Sequence, residues 1–389
     1  MSRLVRIYTV VAVQLLNAVL VFAAINVAIV VVQLVRERTR AVPAGAPVVA
    51  GVDFAAYTAM SREQVRRFLG EQAAMQMAGF RYEPWVLFRN PEYHGQLLNT
   101  NATGVRRTRA SRAQCADPIR VFVFGGSTTF GYGVADNFTI PSHLQGHLER
   151  RYPAQCVQVS NYGQGYFFSS QEFLQFSNLL KAGHVPAWAI FFDGANDTYQ
   201  LSGRRDVPFF SDAVQSLWEM RHRGRSCPLV DWSWLPVYHV AGAIRQHIWG
   251  APLPNPRSDY PTPVPDAERS GAYVAERYKH NVRMIRALCA EYHVQCRFVW
   301  QPTFFDYDRA LHPAFPYAGQ VPEFWREAYE RVRAWKANDV LYLGDLFRGV
   351  REKVFVDNVH YNERWNGEIA SRIADVVDLG TPAGARPRL

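Results

Sequence analysis

Residues 122–133 read Phe-Val-Phe-Gly-Gly-Ser-Thr-Thr-Phe-Gly-Tyr-Gly, and no other stretch restricts the fold of this chain so tightly. The apolar run 121–124, ahead of paired glycines, predicts a buried parallel strand that stops abruptly. Gly125 and Gly126 permit backbone angles that a Cβ forbids, so the next side chain, Ser127, stands exposed at the carboxyl end of that strand. Such a position suits a nucleophile. If a helical turn begins at Thr128, the amides after Ser127 also point to where negative charge develops in acyl transfer. Two plainer readings compete. The glycines at 125, 126, 131 and 133 suggest a dinucleotide fingerprint, but their spacing is not Gly-x-Gly-x-x-Gly and no Lys follows as in a phosphate loop. Ser127 would also serve as an ordinary helix cap after a strand. Partners elsewhere in the chain have to decide.

From Ile119 onward strand and helix signals alternate, which predicts an α/β domain whose parallel sheet of about five strands lies between helical layers. Strands are expected at 121–124, 157–160, 187–192, 296–300 and 340–343, and the third, apolar throughout, belongs in the centre of the sheet. Helical spacing runs over 169–182, 272–293, 322–336 and 363–377. Residues 1–40 form an anchor. Residues 41–116 comprise a linker rich in Ala, Pro and Val, a helix at 61–78, and an aromatic, turn-rich stretch of short strands. The main domain spans 117–378, and 379–389 is a frayed tail. Residues 200–270 break the rhythm and hold Trp218, Trp232, Trp234 and Trp249. They read either as a lid or substrate wall at the carboxyl end of the sheet, or as a satellite core packing the insertion down.

Positions 7–35, about 29 without a charge, are long enough to cross a bilayer of ~30 Å. The apolar stretch is too long for the core of a cleavable signal peptide, which favours an uncleaved transmembrane helix. Arg3 and Arg6 lie on one side of it and Arg36, Arg38 and Arg40 on the other, so charge alone does not orient it. The net charge of +9 raises the question of nucleic acid, but no Lys/Arg block interleaves with aromatics as in a binding module. The excess is read as general surface charge suited to an anionic membrane or polymer. The cysteines admit two disulfides, Cys115 to Cys156 and Cys289 to Cys296, with Cys227 left over, which would place the domain in an oxidising compartment. The alternative is five separate buried thiols. No pair has zinc-ligand spacing, and neither metal nor cofactor is expected.

The candidate partners of Ser127 lie at the ends of later elements. The second strand ends in Asn161-Tyr162-Gly163-Gln164-Gly165 and the third in Asp193-Gly194-Ala195-Asn196-Asp197. In a parallel sheet such strand ends converge on one crevice, where a glycine amide and the Asn196 side chain would join the Ser127 amide as an oxyanion hole. Ahead of the last helix stands Asp357-Asn358-Val359-His360-Tyr361-Asn362. A carboxylate three residues before a histidine can hold one imidazole nitrogen while the other faces a serine.

These blocks, in this order, resemble those of the SGNH (GDSL-type) hydrolase family. Phe124 to Ser127 is similar to the first block, with Gly126 where the family's naming motif has Asp. Asn161 to Gly165 is similar to the second, with one residue rather than two between the glycines, so that Gly165 or Gly163 is the oxyanion donor, Gly165 preferred. Gly194 to Asp197 and Asp357 to His360 match the third and fifth. After the fifth, Trp365-Asn366-Gly367 stands where many members have Gly-Asn. The resemblance covers residues 117–378 and implies a three-layer, flavodoxin-like fold. It implies Ser127 as nucleophile, His360 as base and Asp357 as its orienter, with Ser127, Gly165 or Gly163, and Asn196 around the oxyanion. It further implies an ester hydrolase without cofactor, looking out of a bacterial cytoplasmic membrane and acting on an acylated envelope glycan or lipid. An acyltransferase using the same triad, or a catalytically silent binding protein on the same scaffold, are the alternatives.

Overall fold

The structure, a computed structural model, describes residues 3–39, 52–112, 115–201, 267–305, 307–312 and 322–380, with positions 208, 210, 211 and 214. The 41–51 linker, the four tryptophans of the insertion, Cys227 and the tail from 381 lie outside the described residues. The chain divides into two compact units. Of the first, the structure describes chiefly one helix, α1 (Arg3–Thr39). Its segment Tyr8–Val32, 25 residues with a mean hydropathy of 2.7, is long and apolar enough to cross a membrane, a test that a signal sequence also passes.

The second unit is organised by five parallel strands, β5 (Ile119–Gly125), β6 (Val157–Asn161), β7 (Trp188–Asp193), β8 (Gln295–Trp300) and β9 (Val340–Tyr342), in the order β6-β5-β7-β8-β9. All six residues of β7 are buried, as its composition requires of a central strand. Phe124, Phe191 and Phe298 sit side by side on β5, β7 and β8, with ring centroids 4.9 and 5.5 Å apart, and form the spine of the core on one face. Because the strand order reverses at β5, right-handed crossovers send helices to opposite faces. On one side α4 (Ile140–Arg151) packs against β6 and α9 (Glu363–Asp375). On the other, α5 (Ser169–Lys181), α6 (Ala195–Leu201) and α8 (Glu323–Ala334) pack on α7 (Ala267–Glu291). The result is the three-layer α/β/α fold that the alternating signals predict.

The structure differs from the sequence reading at three helices. The short helix α6 stands where the sequence gives only a glycine turn. The periodicity gives no helix between the first and second strands, yet α4 is there, capped by Thr139 with Pro141 in its first turn. The helix α7 begins at Ala267, five residues ahead of the expected start. Cys115 pairs with Cys156, and Cys289 with Cys296. The first bond ties the entry of β5 to that of its neighbour β6.

The segment before β5 belongs to the same compact unit as the sheet. Its helix α2 (Arg62–Met77) starts in a capping box between Ser61 and Gln64. Two short hairpins follow, β1 (Arg81–Glu83) with β2 (Leu87–Arg89), and β3 (Tyr93–His94) with β4 (Asn99–Thr100).

Candidate active site

The strand order reverses between β6 and β7 on either side of β5, and in open α/β sheets the crevice at such a switch point is where ligands bind. Ser127 stands at the carboxyl end of β5 as the first residue of a single helical turn, α3 (Ser127–Phe130). The glycines before it are dictated by close approach. A Cβ on Gly125 would come within 2.0 Å of Thr129 Oγ1, and one on Gly126 within 2.2 Å of Asn196 Nδ2. The Asn196 amide is therefore pressed against the backbone beside Ser127, and its Nδ2 donates to the Phe167 carbonyl at 2.7 Å. That bond uses one of two amide hydrogens.

His360 comes from the far end of the chain. A tight hairpin over 354–362, closed by Val356 N to His360 O at 2.9 Å and Asn362 N to Val354 O at 2.8 Å, leads directly into α9. The Asn362 side chain caps that helix, accepting from Trp365 N at 3.0 Å. Within the hairpin, Asp357 Oδ1 accepts from the amides of Val359 (2.9 Å) and His360 (2.8 Å). Its other oxygen, Oδ2, accepts from His360 Nδ1 at 2.7 Å. With Nδ1 protonated, His360 Nε2 is the acceptor, and it lies 2.8 Å from Ser127 Oγ. Burial pushes the Asp357 carboxyl up, but the His360 imidazole and the two amides outweigh it and hold the group below the ordinary carboxylate range.

The structure thus brings Ser127, His360 and Asp357 into one chain of hydrogen bonds and sets Asn196 beside it. The two candidate glycines differ. Gly163 N–H donates to Asn161 Oδ1 at 3.0 Å, and a Cβ there would lie 2.4 Å from Phe130 N, so its amide is committed inside its own turn. Gly165 is buried against Tyr132 and Phe80, where a Cβ would meet the Tyr132 hydroxyl at 2.6 Å.

Several supporting residues have no motif to reveal them. Arg106, 1% exposed, binds Asp136 Oδ1 at 2.9 Å and donates to the carbonyls of Phe130 (3.2 Å), Gly131 (2.8 Å) and Val134 (2.9 Å), which clamps the end of the Ser127 turn. Asp197 accepts from Ser169 Oγ at 2.5 Å and from Gly194 N at 3.3 Å, fixing the turn that carries Asn196. Just below, burial holds Glu172 and Asp193 well above the carboxylate range, with neighbouring carboxylates adding to the effect. His312 packs its ring 4.6 Å from Phe355 behind the hairpin, and burial pulls its pKa down to about 4 despite the charge of Asp357. The 52–60 segment is joined to the same hairpin. Glu363 accepts from Thr58 N at 2.9 Å and Met60 N at 3.0 Å, and Asn362 Nδ2 donates to Ala56 O at 2.9 Å. No group of His, Cys, Asp and Glu among the described residues has the arrangement of a metal site.

No protein-family model matches the chain, and no curated protein matches it. Among solved structures it is similar to a member of the lipolytic protein G-D-S-L family from Veillonella parvula, at 14% identity and a TM-score of 0.37 over 66% of this chain and 97% of that one. It is also similar to a lipase from a goat rumen metagenome, at 11% identity and a TM-score of 0.38 over 66% of this chain and 96% of that one. An acetyl xylan esterase matches at 11% identity and a TM-score of 0.34, over 67% of this chain and all of that one, 100%.

Proposed function

We propose that this chain is a serine ester hydrolase of the SGNH type, anchored in the cytoplasmic membrane by α1 with its catalytic unit on the oxidising side. The reading rests above all on the relay from Asp357 Oδ2 to His360 Nδ1 (2.7 Å) and from His360 Nε2 to Ser127 Oγ (2.8 Å), groups that the chain separates by up to 233 positions. Ser127 Oγ attacks the ester carbonyl while His360 Nε2 takes its proton, and Asp357 holds the ring tautomer and the imidazolium that results. The carbonyl oxygen, now negative, is held by the Ser127 amide, the second Asn196 amide hydrogen and the Gly165 amide, each donor contributing on the order of 3 kcal/mol in comparable sites. Collapse expels the alcohol, which leaves with the proton from His360. Water, deprotonated by the same nitrogen, then releases the acid and restores Ser127. The two disulfides support an extracytoplasmic setting.

The test is covalent labelling of the full-length protein with a fluorophosphonate, alongside hydrolysis of 4-nitrophenyl acetate. The parent protein is expected to take up one equivalent and turn over the ester, and Ser127→Ala to do neither. Labelling that persists in Ser127→Ala would remove the assignment. An unlabelled, inactive parent would point to a silent scaffold. Transfer of the acyl group to an added sugar faster than to water would make the chain an acyltransferase.

A further inference from the structure

Beneath the proposed oxyanion site lie two carboxyls to which the mechanism gives no role. Glu172 stands in the first turn of α5 and Asp193 ends β7, and they are 0% and 3% exposed. All four of their carboxyl oxygens are buried, and none has a hydrogen-bond donor among the described residues. Asp197 beside them is different, since it accepts from Ser169 Oγ at 2.5 Å and from the amides of Ser169 and Gly194, both at 3.3 Å. Glu172 and Asp193 lie within hydrogen-bonding reach of each other, a contact that two carboxyls make only with a proton between them.

Nothing else around the pair can neutralise it. Asp197 faces it from the turn after β7 and Tyr278 from α7. The phenol stays neutral, raised well above its ordinary range by burial first and then by Asp193, Asp197 and Glu172. Among the described residues no Lys, Arg or His acts on either carboxyl, and the cluster is not arranged to hold a metal ion. Two bare charges left there would be costly, and a retained proton removes one of them.

The place of the pair gives that proton a consequence. The helix α5 follows the turn that holds Gly163 and Gly165, and Asp193 leads into the turn that holds Asn196. Three contacts join the two: Asn196 Nδ2 to Phe167 O at 2.7 Å, Ser169 Oγ to Asp197 Oδ1 at 2.5 Å, and the carboxyl pair. The first of them holds the very amide assigned to the oxyanion. If the proton leaves, the third changes from a hydrogen bond into repulsion between like charges.

We infer that Glu172 and Asp193 keep a proton between them, and that this proton ties the Gly165 turn to the Asn196 turn, making both carboxyls positioning residues. The shared proton stands apart from the hydrolase reading, whereas its effect on an oxyanion donor rests on that reading. Infrared spectra of the full-length protein in an ester-free detergent test the proton. At neutral pH the parent should show the carbonyl stretch of a protonated carboxyl, shifted in D₂O and missing from Glu172→Gln/Asp193→Asn, where two amides replace the pair. A parent spectrum without that band would overturn the inference, whether or not the double variant folds. Linkage gives a second reading. A glutamate ordinarily titrates at 4.5, so above about pH 6 the unfolded chain has lost a proton that the folded one keeps, and stability falls as pH rises. The unfolding constant of the parent should climb about tenfold per pH unit faster than that of the double variant between about pH 6 and 8, and equal slopes would overturn the inference. Rates on 4-nitrophenyl acetate test the tie. Glu172→Gln keeps a donor to Asp193 and should stay within about threefold of the parent kcat. Glu172→Leu, or Asp193→Leu if the first does not fold, should lower kcat about tenfold or more with KM unchanged. Parent-like kcat in a folded leucine variant would refute the tie. An inactive parent that shows both the infrared band and the linked slope would refute the hydrolase and leave the shared proton standing.

Discussion

In the proposed hydrolase, Asp357→Asn separates geometry from chemistry. Oδ1 of the parent accepts from Val359 N at 2.9 Å and His360 N at 2.8 Å, and the carbonyl oxygen of an asparagine can keep both bonds. The hairpin should therefore survive. The change falls on the 2.7 Å contact between Oδ2 and His360 Nδ1. An amide NH₂ placed there can only donate, so Nδ1 must become the acceptor and the ring proton moves to Nε2. That nitrogen lies 2.8 Å from Ser127 Oγ, and once protonated it cannot take the serine proton. The wrong tautomer costs roughly 10⁴-fold in kcat in a serine protease triad, equivalent to about 5 kcal/mol of barrier, and the same loss is expected here. Initial rates on 4-nitrophenyl acetate give the magnitude, and the urea midpoint shows whether the fold is retained. A folded Asp357→Asn protein within tenfold of the parent rate would refute the assigned role of the carboxylate.

Two further expectations concern the scaffold. Arg106→Met breaks a fully buried ion pair with Asp136 and strips three backbone carbonyls of their donor, so a loss of ~3–5 kcal/mol is expected in urea unfolding, and a loss under 1 kcal/mol would show the clamp to be dispensable. His312, ordinarily near 6.5, is pulled down to about 4. As pH falls, the unfolded chain therefore takes up this proton first, and stability drains away between those two values by at most on the order of 3 kcal/mol. His312→Gln should flatten the dependence of the thermal midpoint on pH across that window, and equal slopes in parent and variant would count against it.

The centre of the sheet was legible because β5 and β7 are largely apolar runs closed by glycine, and the burial of β7 throughout leaves no ambiguity of phase. The turns at Ser127 and Asn196 were legible because each follows directly on a strand closed by glycine, and that at His360 because it stands just ahead of a capped helix. The helix α4 was not, and the cause lies in what it buries. Gln145 and Glu149 are both buried, and Gln145 reaches the open edge of β6, donating to Val157 O at 2.9 Å and accepting from Val159 N at 2.7 Å. A helix that covers a sheet edge with amides carries polar residues on its inner face, which hides the apolar period. Arg106 was hidden for a related reason. An arginine reads as surface, and only the fold reveals the carbonyls and carboxylate that converge on it.

The 52–112 segment, to which the sequence attached no chemistry, acts on both halves of the site. From one side Arg106 holds the carbonyls that end the Ser127 turn, and Gln72 Oε1 accepts from Gly133 N at 2.8 Å just beyond it. From the other, Thr58 and Met60 bind the Glu363 carboxylate, and Ala56 O holds Asn362, at the point where the His360 hairpin enters α9. These contacts join residues roughly 300 positions apart, so their entropic cost falls on the folding of the whole unit rather than on any local turn. Ser127 and His360, carried on separate loops far apart in the chain, need a common support if their 2.8 Å contact is to persist. The sheet supplies the ends of the strands, and this segment supplies the tie between them. The body that holds the candidate site therefore takes in Ala56 and the residues after it, well ahead of the first strand of the parallel sheet.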